Sequence, residues 1–382
     1  VLSLTGDAFF YTVVVTAVVA VGVTLVGWNR LRGPRAVRWL TRLSMIVCCQ
    51  CAAVVSVAVW VNDANGLYTS WNDLLGRTQV PVVTAADTTV DAPVAFRDLG
   101  DRLVEADYQG PESGLTGEVL VWTPPQYAQA AHRDHRFPVI MLLHGVPGSP
   151  LAWVRGGRAP ELLGALMRDG TLPPAILVMP RINPGSNTDC INVPGGAQTA
   201  TWLARDVPRM INRHFRVRTD AKGWALAGDS TGGYCAAKLP LQYPKTFATG
   251  LALSPDDFHG DPAVIDDPVV RAANDPTQLA ARGTAVSIMV ATSTNDPSSS
   301  LANARALFEA ARTPTRVAAP VILRDGGHNW GTWQAMYPTV FGWLGDNLRP
   351  STGEPLMKQA RTIAHENATY LCPSGMQCPG TR

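Results

Sequence analysis

The chain has 382 residues, of which 46% are hydrophobic and 16% charged. That is enough apolar side chain for a large core and too little charge for a disordered polymer. Its 32 basic residues against 30 acidic ones leave a formal charge of +2, which excludes the chain-wide basic surface that nucleic acid requires. The positive charge is local.

From Phe9 to Trp28 twenty residues run without a charge, and from Leu43 to Val61 a second apolar run has Gln50 as its only strongly polar member. Each is long enough for a helix to cross the hydrocarbon layer of a bilayer. No basic stretch precedes the first run and a second follows at once, so a membrane hairpin is expected here and not a cleaved signal peptide. Between the runs stand Arg30, Arg32, Arg35, Arg38 and Arg42, read as a short arginine-rich loop that stays in the cytoplasm while both ends of the chain face outward. Cys48, Cys49 and Cys51 read as small apolar residues of the second span, not as metal ligands. No other pattern calls for a metal or a cofactor.

Residues 1–62 are thus expected to form a two-span hairpin. Residues 63–96 follow as a membrane-proximal linker, with Trp60, Tyr68 and Trp71 near the outer boundary, where rings with a polar handle are stable. The soluble domain is assigned to 97–345. It opens with a strand pair, "RLVEADYQ" and "TGEVLVWTP", and continues with the strand "FPVIMLL", a glycine-rich loop and a helix from Ala159 to Arg168. The strand "PAILVMP" leads into a long polar loop, Arg181 to Gly196, and a helix from Ala200 to His214. Then come "GWALAG", a helix after Ser230, "FATGLALS", an excursion rich in proline and aspartate, "VSIMVATS", a helix from Ser299 to Ala311, "AAPVILRD" and a last helix in "TWQAMYPTVFGWL". Short, continuously apolar strands between helices predict a mostly parallel central sheet covered on both faces. The tail, 346–382, reads as loop, in which Cys372 and Cys378 are expected to bond if it is outside the cell. Cys190 and Cys235 are far apart in sequence and read as separate thiols, the second of them buried.

Gly228, Ser230 and Gly232 spell G-x-S-x-G between a strand and a helix, the setting a nucleophile elbow requires. Glycines on either side remove Cβ atoms that would strike the neighbouring strand and helix. The amide of Thr231, at the helix start, points where negative charge would develop on a substrate oxygen. A serine hydroxyl needs a base, and His328 in "RDGGHNWGTW" follows a predicted strand on the side where such loops meet. His144 is expected to shape the loop "LLHGVPGSP", whose Val146 amide is the second oxyanion donor. For the carboxylate that orients the imidazole, Asp296 in "TND" gives the chain order serine, acid, histidine. Asp325 is a rival in the histidine's own loop, and Asp256 and Asp257 are others. Asp229 sits in the same tight turn as Ser230 and reads as a local hydrogen-bonding residue. Trp330 and Trp333 either floor an acyl site or pack the last helix.

The segments "VIMLLHGV", "ILVMP", "GDSTGG", "LQYPKTFATGLALS", "TND" and "GGHNWGTW" resemble the esterase-D-like group of α/β-hydrolases, which includes enterochelin esterases and mycolyltransferases. The two-span head resembles membrane-anchored actinobacterial members. The resemblance implies an α/β-hydrolase fold with Ser230 as nucleophile, Asp296 as acid, His328 as base, and Val146 and Thr231 as oxyanion amides. It implies a serine esterase acting through an acyl-enzyme on an envelope or extracellular ester, or an acyltransferase passing the acyl group to an alcohol. A hydrolase-fold scaffold without activity is the third expectation. The mycolyltransferases carry Asp-Gly-Leu where this chain has His144, Gly145 and Val146, and a paired cysteine loop where only Cys190 is in view. Trehalose or mycolate specificity is therefore not transferred.

Overall fold

The computed structural model describes residues 7–65, 67–68, 71–74 and 94–348. The Cys372 and Cys378 pair and most of the 63–96 linker lie outside them. The chain divides into two compact units, 1–77 and 78–382.

In the first unit, α1 (Asp7–Gly27) and α2 (Arg35–Asn65) pack side by side. Thr24 Oγ1 lies 3.3 Å from Cys49 Sγ, and a Cβ on Gly27 would lie 3.1 Å from the Met45 side chain, so the register runs antiparallel. Both helices are long and apolar enough to cross a membrane. The hydroxyls of Thr12, Thr16, Thr24 and Ser56 each donate to the carbonyl four residues back, which satisfies them without water. One expectation is corrected: the connection is only residues 28–34, and Arg35, Arg38 and Arg42 belong to the first turns of α2. No proline or glycine separates Arg35 from the apolar run, so the helix simply begins earlier. Arg42 donates to Trp28 O and lies 4.9 Å over the Trp28 ring, a pairing that joins the two helices at their charged end.

Among the described residues, the second unit is a sheet of ten strands between two layers of helices. The strands are β1 (Arg97–Gly100), β2 (Leu103–Gln109), β3 (Thr116–Trp122), β4 (Val139–Leu143), β5 (Ile176–Pro180), β6 (Trp224–Asp229), β7 (Thr249–Leu253), β8 (Ser287–Ser293), β9 (Arg316–Val317) and β10 (Val321–Leu323). Their order is β1-β2-β3-β5-β4-β6-β7-β8-β10, with β9 also on β8. The pairs from β1 to β5 across β2 and β3 are antiparallel. All others are parallel.

Sequence dictates this plainly at the centre. Every residue of β4, β5, β6 and β7 is buried, as expected of strands covered on both faces. One face carries α4 (Val207–His214), α5 (Thr231–Gln242) and α6 (Leu301–Ala310), through Ile211, Cys235, Leu239 and Leu307. The other carries α3 (Ala159–Arg168) and α7 (Trp330–Leu348), through Leu163, Trp333, Met336 and Phe341. The helix expected over 200–214 is not uniform: Trp202–Asp206 forms a π-turn. There the buried Asp206 carboxylate accepts from the amides of Glu112 and Ser113 at 3.0 and 2.9 Å, fixing the β2–β3 connection.

The parallel register brings the functional loops to one edge. Leu143 pairs with Gly228, Asp229 with Leu253, and Ser293 with Leu323. The chain segments after β4, β6, β7, β8 and β10 therefore all leave at the carboxyl ends of neighbouring strands, where α/β sheets place their sites.

Candidate active site

Ser230 occupies the single residue between β6 and α5, at φ 54° and ψ −123°. A non-glycine residue holds such a conformation only when its surroundings enforce it. The surroundings are visible in the flanking glycines: a Cβ on Gly228 would lie 2.1 Å from Gly232 O, and one on Gly232 would lie 2.1 Å from Leu143 O. Only hydrogen at both positions lets β4, β6 and the first turn of α5 approach this closely. Thr231 opens α5, so its amide has no carbonyl of the same helix to donate to.

His328 Nε2 lies 3.0 Å from Ser230 Oγ. Its Nδ1 lies 3.0 and 3.1 Å from the two oxygens of Asp296. The Asp296 carboxylate is wholly buried and also accepts from the amides of Ser298 and Ser299 at 2.9 and 3.0 Å. These donors fix its orientation, and hence that of the ring. Asp325 does not take this place: it has φ 61° and its amide donates to Thr294 Oγ1, while both ring nitrogens of His328 are already engaged by Ser230 and Asp296. Asp256 meets the serine and not the histidine. Its Oδ1 is 3.0 Å from Ser230 Oγ and its Oδ2 accepts from Thr231 Oγ1 at 2.5 Å. Asp257 instead accepts from Asn303 Nδ2.

The loop after β4 lies against this turn. A Cβ on Gly145, the residue before Val146, would come within 2.9 Å of Ser230 Cβ. His144, fully buried, has Nδ1 2.8 Å from Gly145 O and accepts from the Ile182 amide at Nε2. Burial lowers its pKa to about 3, so the ring is neutral, with its proton on Nδ1, and serves as a bracket between two loops. Asp229 accepts from Gly145 N–H at 3.1 Å, and burial pushes its carboxyl up to about 8.

Cys190 and Cys235 form a disulfide, which corrects the expectation of two separate thiols. Cys235 is one turn into α5 and Cys190 is in the polar loop 181–196, so the bond ties that loop to the helix that follows Ser230. Trp330 and Trp333 pack edge-on at 4.9 Å, and Trp330 meets Trp153 at 5.2 Å. Trp333 is buried against His328 at 5.2 Å. These rings wall α7 against Gly156 and Gly157, whose carbonyls accept from Gln334 and Tyr337. Among the described residues there is no cluster of histidine, cysteine or acidic side chains suited to a metal.

Chemically, the arrangement places a strained hydroxyl against an imidazole whose far nitrogen is held by a buried carboxylate. Such a group can lose its proton to the ring as it attacks a carbonyl.

Comparison with known proteins bears on the fold and the family. An uncharacterised protein of Corynebacterium glutamicum is 28% identical over 218 residues, covering 53% of this chain and 50% of the relative. The chain thus spans about half the length of that curated relative. Among solved structures, a ferulic acid esterase matches with a TM-score of 0.54 at 19% identity, covering 65% of this chain and 98% of its own. An S-formylglutathione hydrolase from Agrobacterium tumefaciens matches at 0.55 and 16% identity, over 68% and 100%. A fluorophosphonate-binding serine hydrolase of Staphylococcus aureus matches at 0.51 and 16%, over 68% and 100%. These likenesses show the α/β-hydrolase fold. Residues 115–344, more than half of the chain, match the family described as "Putative esterase", and the chain belongs to that family.

Proposed function

We propose that the chain is a membrane-anchored serine carboxylic-ester hydrolase, with Ser230 as nucleophile, His328 as general base and Asp296 as the orienting acid. The observation that carries this reading is the unbroken line from the buried Asp296 carboxylate through both nitrogens of His328 to Ser230 Oγ, with 3.0 Å on each side of the ring. As Ser230 attacks the ester carbonyl, its proton passes to His328 Nε2. The developing oxyanion is received by the amides of Val146 and Thr231, the second at a helix start where the backbone dipoles favour negative charge. His328 then returns the proton to the leaving alcohol. Water enters by the same route in reverse and releases the acid from the acyl-enzyme.

The catalytic domain is assigned to 97–345, the hairpin to 1–62, the linker to 63–96 and the tail to 346–382. β1 begins at Arg97, which supports the first limit, whereas α7 runs to Leu348, so the last helix continues three residues past the other limit and the tail is not loop from its first residue. The arginines around the 28–34 connection support a cytoplasmic hairpin tip, which puts the catalytic domain outside. The Cys190–Cys235 bond supports the same side, because disulfides persist where the medium is oxidising.

The direct test is active-site labelling of the full chain with a fluorophosphonate, followed by peptide mass mapping. Label on Ser230, and loss of both label and p-nitrophenyl ester cleavage in Ser230→Ala, is the expected result. Undiminished hydrolysis by Ser230→Ala would refute the assignment.

A further inference from the structure

Ser230 Oγ carries one proton and has two neighbours that ordinarily accept. His328 Nε2 and Asp256 Oδ1 each lie 3.0 Å from it. The carboxyl is not a passing contact. Its own amide donates to Ser230 O at 3.3 Å, and the Ser230 amide donates to Leu253 O at 3.0 Å, so the segment after β7 is stitched to the elbow by main chain. The second carboxyl oxygen is already engaged, since Thr231 Oγ1 donates to Oδ2 at 2.5 Å.

The proposed triad commits the serine proton to His328, because only that transfer frees the oxygen to attack. Once the hydroxyl turns to the ring, Asp256 Oδ1 has lost its donor. In the acyl-enzyme the loss is complete: the serine oxygen is then an ester oxygen and carries no proton at all. A substrate that covers the site also strips water from that oxygen. Leaving such an acceptor unmatched costs as much as an ordinary hydrogen bond to a charged group contributes. The productive complex therefore favours a substrate that brings its own donor to Oδ1.

We propose that Asp256 is the acceptor for a substrate hydroxyl lying beside the scissile ester, which makes the substrate class hydroxylated esters: partial esters of polyols or esters of hydroxy acids. This inference rests on the triad proposed above and sharpens it from an ester to a hydroxylated one. Asp256 meets its neighbours Ser230 and Thr231 as an acceptor, so a neutral donor suits the position and an anionic group does not.

The experiment compares kcat/KM of the full chain in detergent on three esters of similar size: ethyl butyrate, 2-hydroxyethyl butyrate and ethyl 3-hydroxybutyrate. The wild type is expected to favour one of the hydroxylated esters over ethyl butyrate by about tenfold or more. The favoured ester tells whether the hydroxyl belongs to the alcohol or the acyl side. Asp256→Asn keeps the shape and the Thr231 contact but turns an N–H toward the site, and its ratio is expected to fall toward one. Asp256→Ala is the second variant and should do the same. A wild type without preference, or a preference that survives both substitutions, would overturn the proposal. Failure of the triad itself looks different: no ester of the three is cleaved and Ser230 takes no fluorophosphonate label.

Discussion

The Gly145 amide donates to Asp229 Oδ2 at 3.1 Å, and this one bond joins the loop after β4 to the turn that holds Ser230. The other oxygen of Asp229 is buried without a hydrogen-bond partner among the described residues. An ionised carboxylate is poorly served there, and burial raises the group from its ordinary 3.8 to about 8. Because the folded value is the higher one, the stability this group contributes is whole below about pH 4 and is lost as pH rises through about 8. Asp229→Asn stays neutral throughout and keeps an acceptor for Gly145. The melting temperature of Asp229→Asn minus that of the wild type should therefore grow from pH 4 to pH 8 and then level. A difference that is flat over this range would contradict the buried neutral acid.

Asp296 and Asp325 both stand in loops near His328, but only Asp296 reaches Nδ1. Asp296→Asn should leave the ring in place and in the wrong tautomer, with kcat falling by about 10⁴-fold while KM changes little. Asp325→Asn should remain within a few-fold of wild type, about the scatter expected of a substitution that touches no reacting atom. Steady-state kinetics on a p-nitrophenyl ester separates the two. Equal losses in both variants would remove Asp296 from the role proposed for it.

Most of the sheet was legible because its strands are buried on both faces: "VIMLL", "ILVMP" and "WALAG" have no polar face to confuse with a helix. The elbow was legible because its chemistry is local, two glycines and a serine within five residues. What escaped was long-range or counter to a simple pattern. The contact of Asp256 with Ser230 depends on how β6 and β7 align, and nothing in "SPDDF" announces it. The arginines after Gly33 resembled a loop because charge was read as an end of the helix, whereas α2 begins at Arg35 and carries three of them in its first turns. Two short helices in the excursion, Pro268–Ala273 and Pro276–Ala280, did have a signal: each begins with Asp then Pro, and the Asp side chain caps the helix by accepting from its first amides.

The Cys190–Cys235 bond spans 45 residues and had no local signature, since one partner lies in a polar loop and the other on the buried side of α5. Closing a loop of this length restrains the unfolded chain, and breaking it should cost about 2–5 kcal/mol. Paired Cys190→Ser and Cys235→Ser variants, compared with the reduced wild type by urea denaturation, measure this. All three should lose similar amounts. Retained stability in the serine variants would mean that the polar loop is held by other contacts, of which the Ile182 amide on His144 is the first to consider.

Two glycines separate close packing from mere helix composition. A methyl on Gly232 meets the carbonyl oxygens of Leu143 and His144 at 2.1 and 2.7 Å, backbone atoms that cannot move without opening the sheet. Gly232→Ala should destabilise by at least about 1–3 kcal/mol, the usual cost of overpacking, and lower Ser230 labelling with it. On α7 the methyl of Gly342→Ala finds only Thr171 Cγ2 at 3.4 Å, an ordinary contact. There the better helix propensity of alanine should stabilise by up to about 1 kcal/mol. If both variants shift the denaturation midpoint in the same direction, the steric account of the elbow is wrong.

The topology is the last point open to direct measurement. In the orientation proposed above, Arg30, Arg32 and Arg35 hold the hairpin tip in the cytoplasm and the residues on either side of the hairpin face outward. Alkaline phosphatase, which folds only where disulfides form, should be active when fused after Arg382 and inactive when inserted at Gly33. Replacing the arginines from Arg30 to Arg42 with glutamine should weaken the bias and bring some phosphatase activity to the Gly33 insertion. The same inversion should leave Cys190 and Cys235 reduced in the misoriented fraction, which a thiol-specific mass tag would detect. Phosphatase activity at Gly33 in the unsubstituted chain, with none after Arg382, would put the catalytic domain in the cytoplasm and with it the esters it can reach.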